Sequence, residues 1–283
     1  MLGDFEYVRA QTTADACRRL KEEGDRAVAY AGGTDLLVDI RNGVRAPKLL
    51  VDIKGIEALT RVRARNGTLL LGAAVMLNRV AEDASIRDRL PALSEAAVSI
   101  ATYQLRNRAT IGGNLCNASP ASDSIPPLLI AGASLHIVGP EGERDVPLGE
   151  FCTGVKTTCL ECGEIVTEIR IPTIEEGART AFVKQQRIRG HDLAVVNLAG
   201  AYLPSDEAVR IAVGSCSPTP LLLEAIDGRS HDPAAIAEEA IRLADASASP
   251  ISDVRASAEY RRAVLPVLIR RLVARLFDPQ GGA

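Results

Sequence analysis

The chain has 283 residues, 47% hydrophobic and 24% charged, which is enough apolar material for at least one sizeable core and too much for a disordered chain. Its 33 Lys and Arg stand against 36 Asp and Glu, and the net charge of -3 gives no broad basic footprint for nucleic acid or an anionic membrane. There is no Trp and only 3% of residues are aromatic, so bases would find little to stack on. No stretch approaches the roughly 20 apolar residues that cross a bilayer, and the first residues lack the basic-then-apolar layout of a secretory signal. Six cysteines are too sparse for a disulfide scaffold. Reduced thiols and a cytoplasmic location are the expectation.

In chain order, residues 5–8 read as a strand and residues 13–23 as a helix with Ala16 and Leu20 on its apolar face, ended by Gly24. The apolar run at 28–31 enters Gly32-Gly33-Thr34-Asp35 and continues as a short helix over 36–40, and a strand follows at 47–53. This first piece, to about residue 55, reads as a small α/β unit. Two apolar runs between residues 62 and 75 flank Asn66-Gly67, the dipeptide suited to a type I′ hairpin turn. Residues 77–84 and 86–101 have helical spacing, with Ser85 as the expected N-cap and Pro91 tolerable near the start of the second helix. After the small-residue segment 110–123 come a short helix at 126–132 and strands at 135–138, 144–148 and 164–171. Residues 172–177 read as a boundary. Beyond them, strand-like runs at 180–185, 194–203 and 209–213 precede helical patterns at 233–246 and 256–277, the order of an α+β domain with an antiparallel sheet.

Two segments carry chemistry. In Ala31-Gly32-Gly33-Thr34-Asp35-Leu36, paired glycines ahead of a helix start can turn backbone amides outward and hold a pyrophosphate, although a tight turn without a ligand would use the same residues. Asp35 reads either as a helix cap or as a ribose ligand. The spacing is neither the dinucleotide fingerprint G-x-G-x-x-G nor a phosphate loop closed by Gly-Lys-Ser or Gly-Lys-Thr. The second segment, Thr110-Ile111-Gly112-Gly113-Asn114-Leu115-Cys116-Asn117-Ala118-Ser119-Pro120-Ala121-Ser122-Asp123, combines small residues with hydroxyls and amides. Two such loops suit a long ligand with two phosphates better than they suit packing.

Together with Gln104-Leu105-Arg106-Asn107-Arg108-Ala109, Phe151-Cys152-Thr153-Gly154 and Gly163-Glu164-Ile165-Val166, these motifs make the chain similar to the FAD-binding subunit of the molybdenum hydroxylases, the xanthine dehydrogenase and carbon monoxide dehydrogenase type. The resemblance runs over essentially the whole chain and implies an oxidoreductase flavoprotein. It implies an α+β fold: a two-subdomain FAD-binding fold of the vanillyl-alcohol-oxidase/PCMH type over 1–175, divided near 1–55 and 56–175. A C-terminal domain over 176–283 would follow, with a three-stranded antiparallel sheet and a helical bundle. It also implies that Ala29, Tyr30, Ala31, Gly32, Gly33, Thr34, Asp35 and Leu36 wrap the FAD pyrophosphate. Thr110, Gly112, Gly113, Asn114, Cys116, Ser119 and Asp123 would serve the rest of the cofactor. Lys184 matches a lysine close to the isoalloxazine, where a cation stabilises negative charge on the reduced ring, although an exposed strand lysine would look the same.

Where several relatives place an aromatic residue against the flavin, this chain has His191-Asp192-Leu193-Ala194, so Leu193 would cover the ring without stacking. That favours NAD slightly as external electron acceptor. His191 could line the same mouth. FAD is expected to be held non-covalently, with the iron-sulfur clusters and molybdopterin on small and large partner subunits, since neither set of motifs occurs here. Cys152, Cys159 and Cys162 include a C-x-x-C spacing, but three thiols do not complete a four-cysteine metal site, and no metal is expected. The rival readings are a non-catalytic nucleotide-binding or assembly subunit, and a stand-alone flavin oxidase.

Overall fold

The computed structural model describes residues 4–188 and 190–278. The chain opens with β1 (Glu6–Arg9), α1 (Thr13–Glu23), β2 (Ala27–Tyr30), α2 (Leu36–Arg41) and β3 (Leu49–Asp52). The strands form a parallel sheet in the order β1-β3-β2, with Leu50 paired to both Tyr7 and Val28. Thr12 caps α1 by accepting from the Asp15 amide at 3.1 Å. Gly24 ends it at φ 56°, its N–H bonded to the Leu20 carbonyl. Ala16, Cys17 and Leu20 point inward and pack with Val51 and Ile53.

Next come β4 (Val62–Arg65), β5 (Thr68–Gly72), α3 (Leu77–Glu82), α4 (Ala84–Arg89), α5 (Pro91–Ser99), α6 (Tyr103–Arg106), α7 (Ile111–Cys116) and α8 (Ile125–Ile130). The segment closes with β6 (Ser134–Gly139), β7 (Gly142–Pro147), α9 (Leu148–Phe151), β8 (Cys152–Gly154), β9 (Thr157–Thr158) and β10 (Ile165–Pro172). Five of these strands make an antiparallel sheet in the order β4-β5-β10-β6-β7. Asn66 and Gly67 both take positive φ, 48° and 73°, as the hairpin turn requires. Two expectations are corrected. The helix expected over 86–101 is two: Leu90 leaves helical geometry at φ -145°, as the residue before a proline tends to, and Pro91 starts α5. The cap is Asp83 rather than Ser85, because its carboxylate accepts from both the amide and the hydroxyl of Ser85.

The remainder is β11 (Arg179–Gln185), β12 (Val196–Leu203), β13 (Ala208–Gly214), β14 (Leu221–Leu222), β15 (Ile226–Asp227), α10 (Pro233–Ser247) and α11 (Ala258–Phe277). The three long strands pair antiparallel as the apolar runs predict, and the two-residue strands β14 and β15 extend the sheet from β13. All eight residues of β12 are buried. Leu198 and Tyr202 pack in one core with α10 and α11, whereas Ala199, Ala201 and Leu203 join the core built by α3, α5 and α8. A strand covered on both faces reads as a nearly continuous apolar run, and this one does apart from Asn197.

Candidate functional site

The first glycine segment connects β2 to α2, at the carboxyl end of a parallel strand, where α/β sheets place ligands. Gly33 takes φ 73°, and a Cβ there would also stand 2.4 Å from Cε2 of Tyr30. The Tyr30 ring cannot readily give way: the Tyr7 ring meets it edge-on at 6.2 Å and Lys54 Nζ lies 3.9 Å from its centroid. Lys54 is itself bound to the buried Asp52 at 2.7 Å, and Asp52 also accepts from the Tyr7 hydroxyl. Glycine is therefore needed at 33 for conformation and for space. The backbone hydrogen bonds leave the amides of Gly33, Thr34 and Asp35 without an acceptor among the described residues, which is the donor set an anion needs.

The second segment is anchored differently. Thr110 pairs with Met76 in an isolated bridge, and its hydroxyl accepts from the Gly113 amide at 3.2 Å, capping α7. The Gly112 amide donates to the Ala73 carbonyl at 2.9 Å. A Cβ on Gly112 would stand 2.6 Å from that oxygen. Asn114 Oδ1 accepts from Ser122 and Ser124, both at 2.6 Å, which leaves its NH2 as the group without a protein partner among the described residues. Behind the segment, Arg106 is only 9% exposed. Its Nε donates to Asn78 Oδ1 at 2.8 Å, and its Nη1 reaches the carbonyls of Val98, Ile100 and Ala101 at 2.9–3.0 Å. It thereby satisfies the open end of α5.

The two segments meet. A Cβ on Gly32 would stand 2.3 Å from the Arg108 carbonyl oxygen, so the backbones touch where the first turn passes the second. Beside this contact opens a cavity of about 700 Å³, within the usual size of a small-molecule site. Of the expected residues, Ala29, Ala31, Gly32, Gly33, Thr34, Asp35, Leu36, Thr110, Gly112, Gly113, Asn114 and Cys116 line it.

Six others lie off that lining. Tyr30 is folded beneath Gly33. Ser119 accepts from the Ala121 amide at 3.3 Å. Asp123 and Lys184 are bound to each other at 2.7 Å, each side chain 6% exposed. Lys184 also donates to the Ser99 carbonyl at 3.1 Å, and Asn197 Nδ2 to Asp123 Oδ1 at 2.6 Å. Burial pushes the Asp123 carboxyl above its ordinary value, against the opposing pull of Lys184. This cluster joins β11 and β12 to the segment that follows α7. Leu193 is 60% exposed, in a loop stapled by Arg187 and Asp192 at 2.9 Å, and His191 is exposed in the same loop.

The third wall is Thr158, Leu160 and residues 161–166 together with Asn117, Lys156 and Arg45; residues 163–166 belong to a motif of the resemblance and Asn117 to the second segment, whereas Thr158, Leu160, Lys156 and Arg45 carry no signature that sequence spacing could find. It is held by Glu164, which binds Arg144 through two oxygens at 2.8 Å and the Glu161 amide at 2.7 Å. The hydrogen bonds from Arg144 hold the Glu164 carboxyl below its ordinary value.

The cysteines do not assemble as the C-x-x-C spacing suggests. Cys162 is exposed and points its thiol at the Leu20 carbonyl, whereas Cys116, Cys152 and Cys159 pack against the central core. Burial first, then the neighbouring thiols, pushes Cys116 up to about 12 and Cys152 up to about 11. Among the described residues no three His, Cys, Asp or Glu side chains are grouped to hold a metal ion, and no helix is long and apolar enough to cross a membrane.

A parallel-strand turn with amides free among the described residues faces a second glycine segment across one cavity. Comparison with known proteins gives the family. Residues 3–174 match the FAD binding domain in molybdopterin dehydrogenase, and residues 181–276 the CO dehydrogenase flavoprotein C-terminal domain. The chain is 34% identical over 275 residues to the carbon monoxide dehydrogenase medium chain of Hydrogenophaga pseudoflava, covering 94% of this chain and 95% of that one. It is 32% identical over 293 residues to the putative xanthine dehydrogenase FAD-binding subunit of Escherichia coli K12, covering 99% and 98%. A solved carbon monoxide dehydrogenase from H. pseudoflava, lacking the Mo-pyranopterin moiety of its molybdenum cofactor, superposes with a TM-score of 0.91 at 30% identity over 98% of both chains. The chain belongs to the FAD-binding subunits of the molybdenum hydroxylase family, of carbon monoxide and xanthine dehydrogenase type, and is an oxidoreductase component.

Proposed function

We propose that this chain relays electrons inside a multi-subunit molybdenum hydroxylase, receiving them from an iron-sulfur small subunit and passing them to an external acceptor, NAD being the favoured one. A large subunit would carry molybdopterin and the substrate pocket. The observation that carries the reading is the backbone contact of Gly32 with Arg108, which sets two donor-bearing segments on one cavity. Residues 1–55 and 56–175 would clasp the cofactor, with residues 176–283 leaning over its ring end. A cytoplasmic location belongs to the same reading, supported by six cysteines that are all free.

The site fits FAD on its own chemistry: Gly33 holds the turn at positive φ, and the amides of Gly33, Thr34 and Asp35 have no acceptor among the described residues. The amides of Gly33, Thr34 and Asp35 and the Thr34 hydroxyl would hold the diphosphate, and the NH2 of Asn114 would meet a ribitol or ribose oxygen. FAD supplies, when bound, the exchange between one-electron and two-electron carriers. The Lys184–Asp123 pair would hold a fixed, dry charge distribution behind that end of the site, and Leu193 would offer a displaceable apolar cover.

The test is purification of the native complex, cofactor analysis of each chain, and anaerobic mixing with NADH. About one FAD per chain, released by denaturation and reduced by NADH, supports the whole reading. FAD with no response to NADH removes NAD as acceptor, and a colourless chain in an active complex favours the assembly-subunit alternative. Flavin bleaching by a substrate added to the isolated chain favours a stand-alone oxidase.

A further inference from the structure

The cavity wall is rich in carboxylates, yet among the described residues it carries only two cations, Arg45 and Lys156. Arg45 stands 3.9 Å from Asp39 Oδ2, so its charge is already answered. Lys156 has no carboxylate within ion-pair distance among the described residues. Its Nζ donates instead to the neutral Oδ1 of Asn117 at 2.6 Å, and Asn117 Nδ2 donates to Asp35 Oδ1 at 3.1 Å. One asparagine therefore ties the ammonium to the residue that ends the row of free amides.

The position is built by the backbone. Lys156 occupies the turn between β8 and β9 at φ 59°, and its amide donates to the Ala118 carbonyl at 3.0 Å, which fixes the tip of that hairpin against the end of α7. Two of its three ammonium hydrogens have no protein acceptor among the described residues. A diphosphate brings negative charge into a wall that already has an acidic excess, where amide dipoles would be opposed by the nearby carboxylates. An unpaired ammonium at the same opening offsets that charge.

We propose, resting on the reading of the cavity as the FAD site, that Lys156 is a further cofactor-binding residue. Its ammonium bonds the dinucleotide diphosphate beside the Gly33, Thr34 and Asp35 amides, to which Asn117 ties it. Asn117 is its positioning residue, holding the ammonium through a neutral oxygen so that its charge stays available.

The test is titration of the deflavinated chain with FAD, followed by flavin fluorescence at low and high salt, for the wild type, Lys156→Arg, Lys156→Gln and Lys156→Glu. Loss of one charge-assisted hydrogen bond predicts about ten- to a hundredfold weaker binding for the Gln variant and a shallower salt dependence. The Glu variant must be weaker still, and the Arg variant must stay within a few-fold of wild type. Equal losses in the Gln and Glu variants would trace the effect to the turn rather than the charge and overturn the proposal. A Gln variant matching wild type in affinity and salt slope overturns it while leaving the cavity reading intact. A wild-type chain that takes up no FAD overturns both.

Discussion

The two glycine segments look alike in sequence and work in different ways. In the first, Gly33 has a positive φ and the strand-to-helix turn leaves its amides free. In the second, neither Gly112 nor Gly113 has a positive φ; both lie in the helix α7, where Gly112 lets that helix sit against Ala73. Gly33 holds a turn with free amides, whereas Gly112, like Gly32 against Arg108, lets two backbones approach. The same substitution should therefore injure function in one place and stability in the other.

The largest expected effect is that of Gly33→Val. A β-branched residue at positive φ, with Tyr30 in the way, should abolish FAD retention while far-UV circular dichroism stays that of the wild type. A variant purified with a full complement of FAD would erase the proposed contrast. Gly112→Ala comes next. Forcing a methyl against the Ala73 carbonyl should cost about 1–3 kcal/mol, lowering Tm by several degrees, with FAD affinity falling less than in Gly33→Val. Differential scanning calorimetry on both variants measures the difference directly.

Gly113→Ala is milder, because its Cβ would meet only Thr110 Oγ1, at 2.9 Å. The expected result is a few-fold loss of FAD affinity and a Tm change under about 2 °C, in line with a partly weakened cap. The smallest effect belongs to the third wall, which is held by charge. Because the Glu164 carboxyl is held below its ordinary value of 4.5 in the folded chain, the stability it contributes is present above that pH and is lost as the pH falls through its lowered value. Acid titration of Glu164→Gln should show a lower Tm at neutral pH and a flatter decline below pH 4.5 than the wild type.

Much of the frame was legible because its signals are local. The Asn66-Gly67 turn, Gly24 at the end of α1 and the long strands from Arg179 onward all rest on neighbours in sequence. Helix α7 was hidden, since Gly112 and Gly113 lower helix propensity and only the Thr110 cap and packing against Ala73 override them. Asp83 and Ser85 are both capping residues, and which one caps depends on where the carboxylate turns. Lys184 could be read as exposed or as close to the flavin because its partner, Asp123, lies 61 residues away and no spacing announces the pair. In the third wall the motif at residues 163–166 was legible, whereas Lys156, Thr158 and Arg45 were not, because a hairpin and the stretch after α2 bring them to that motif only in space.

Strand β12 carries one more consequence. Since Ala199, Ala201 and Leu203, with Phe182 and Ala212, complete a core otherwise built by helices and strands upstream of residue 175, a gene cut near that residue would leave each fragment with a sticky, solvent-facing apolar wound. The two fragments expressed apart should aggregate, whereas synthesis of the intact polypeptide lets each half serve as the other's lid while it folds.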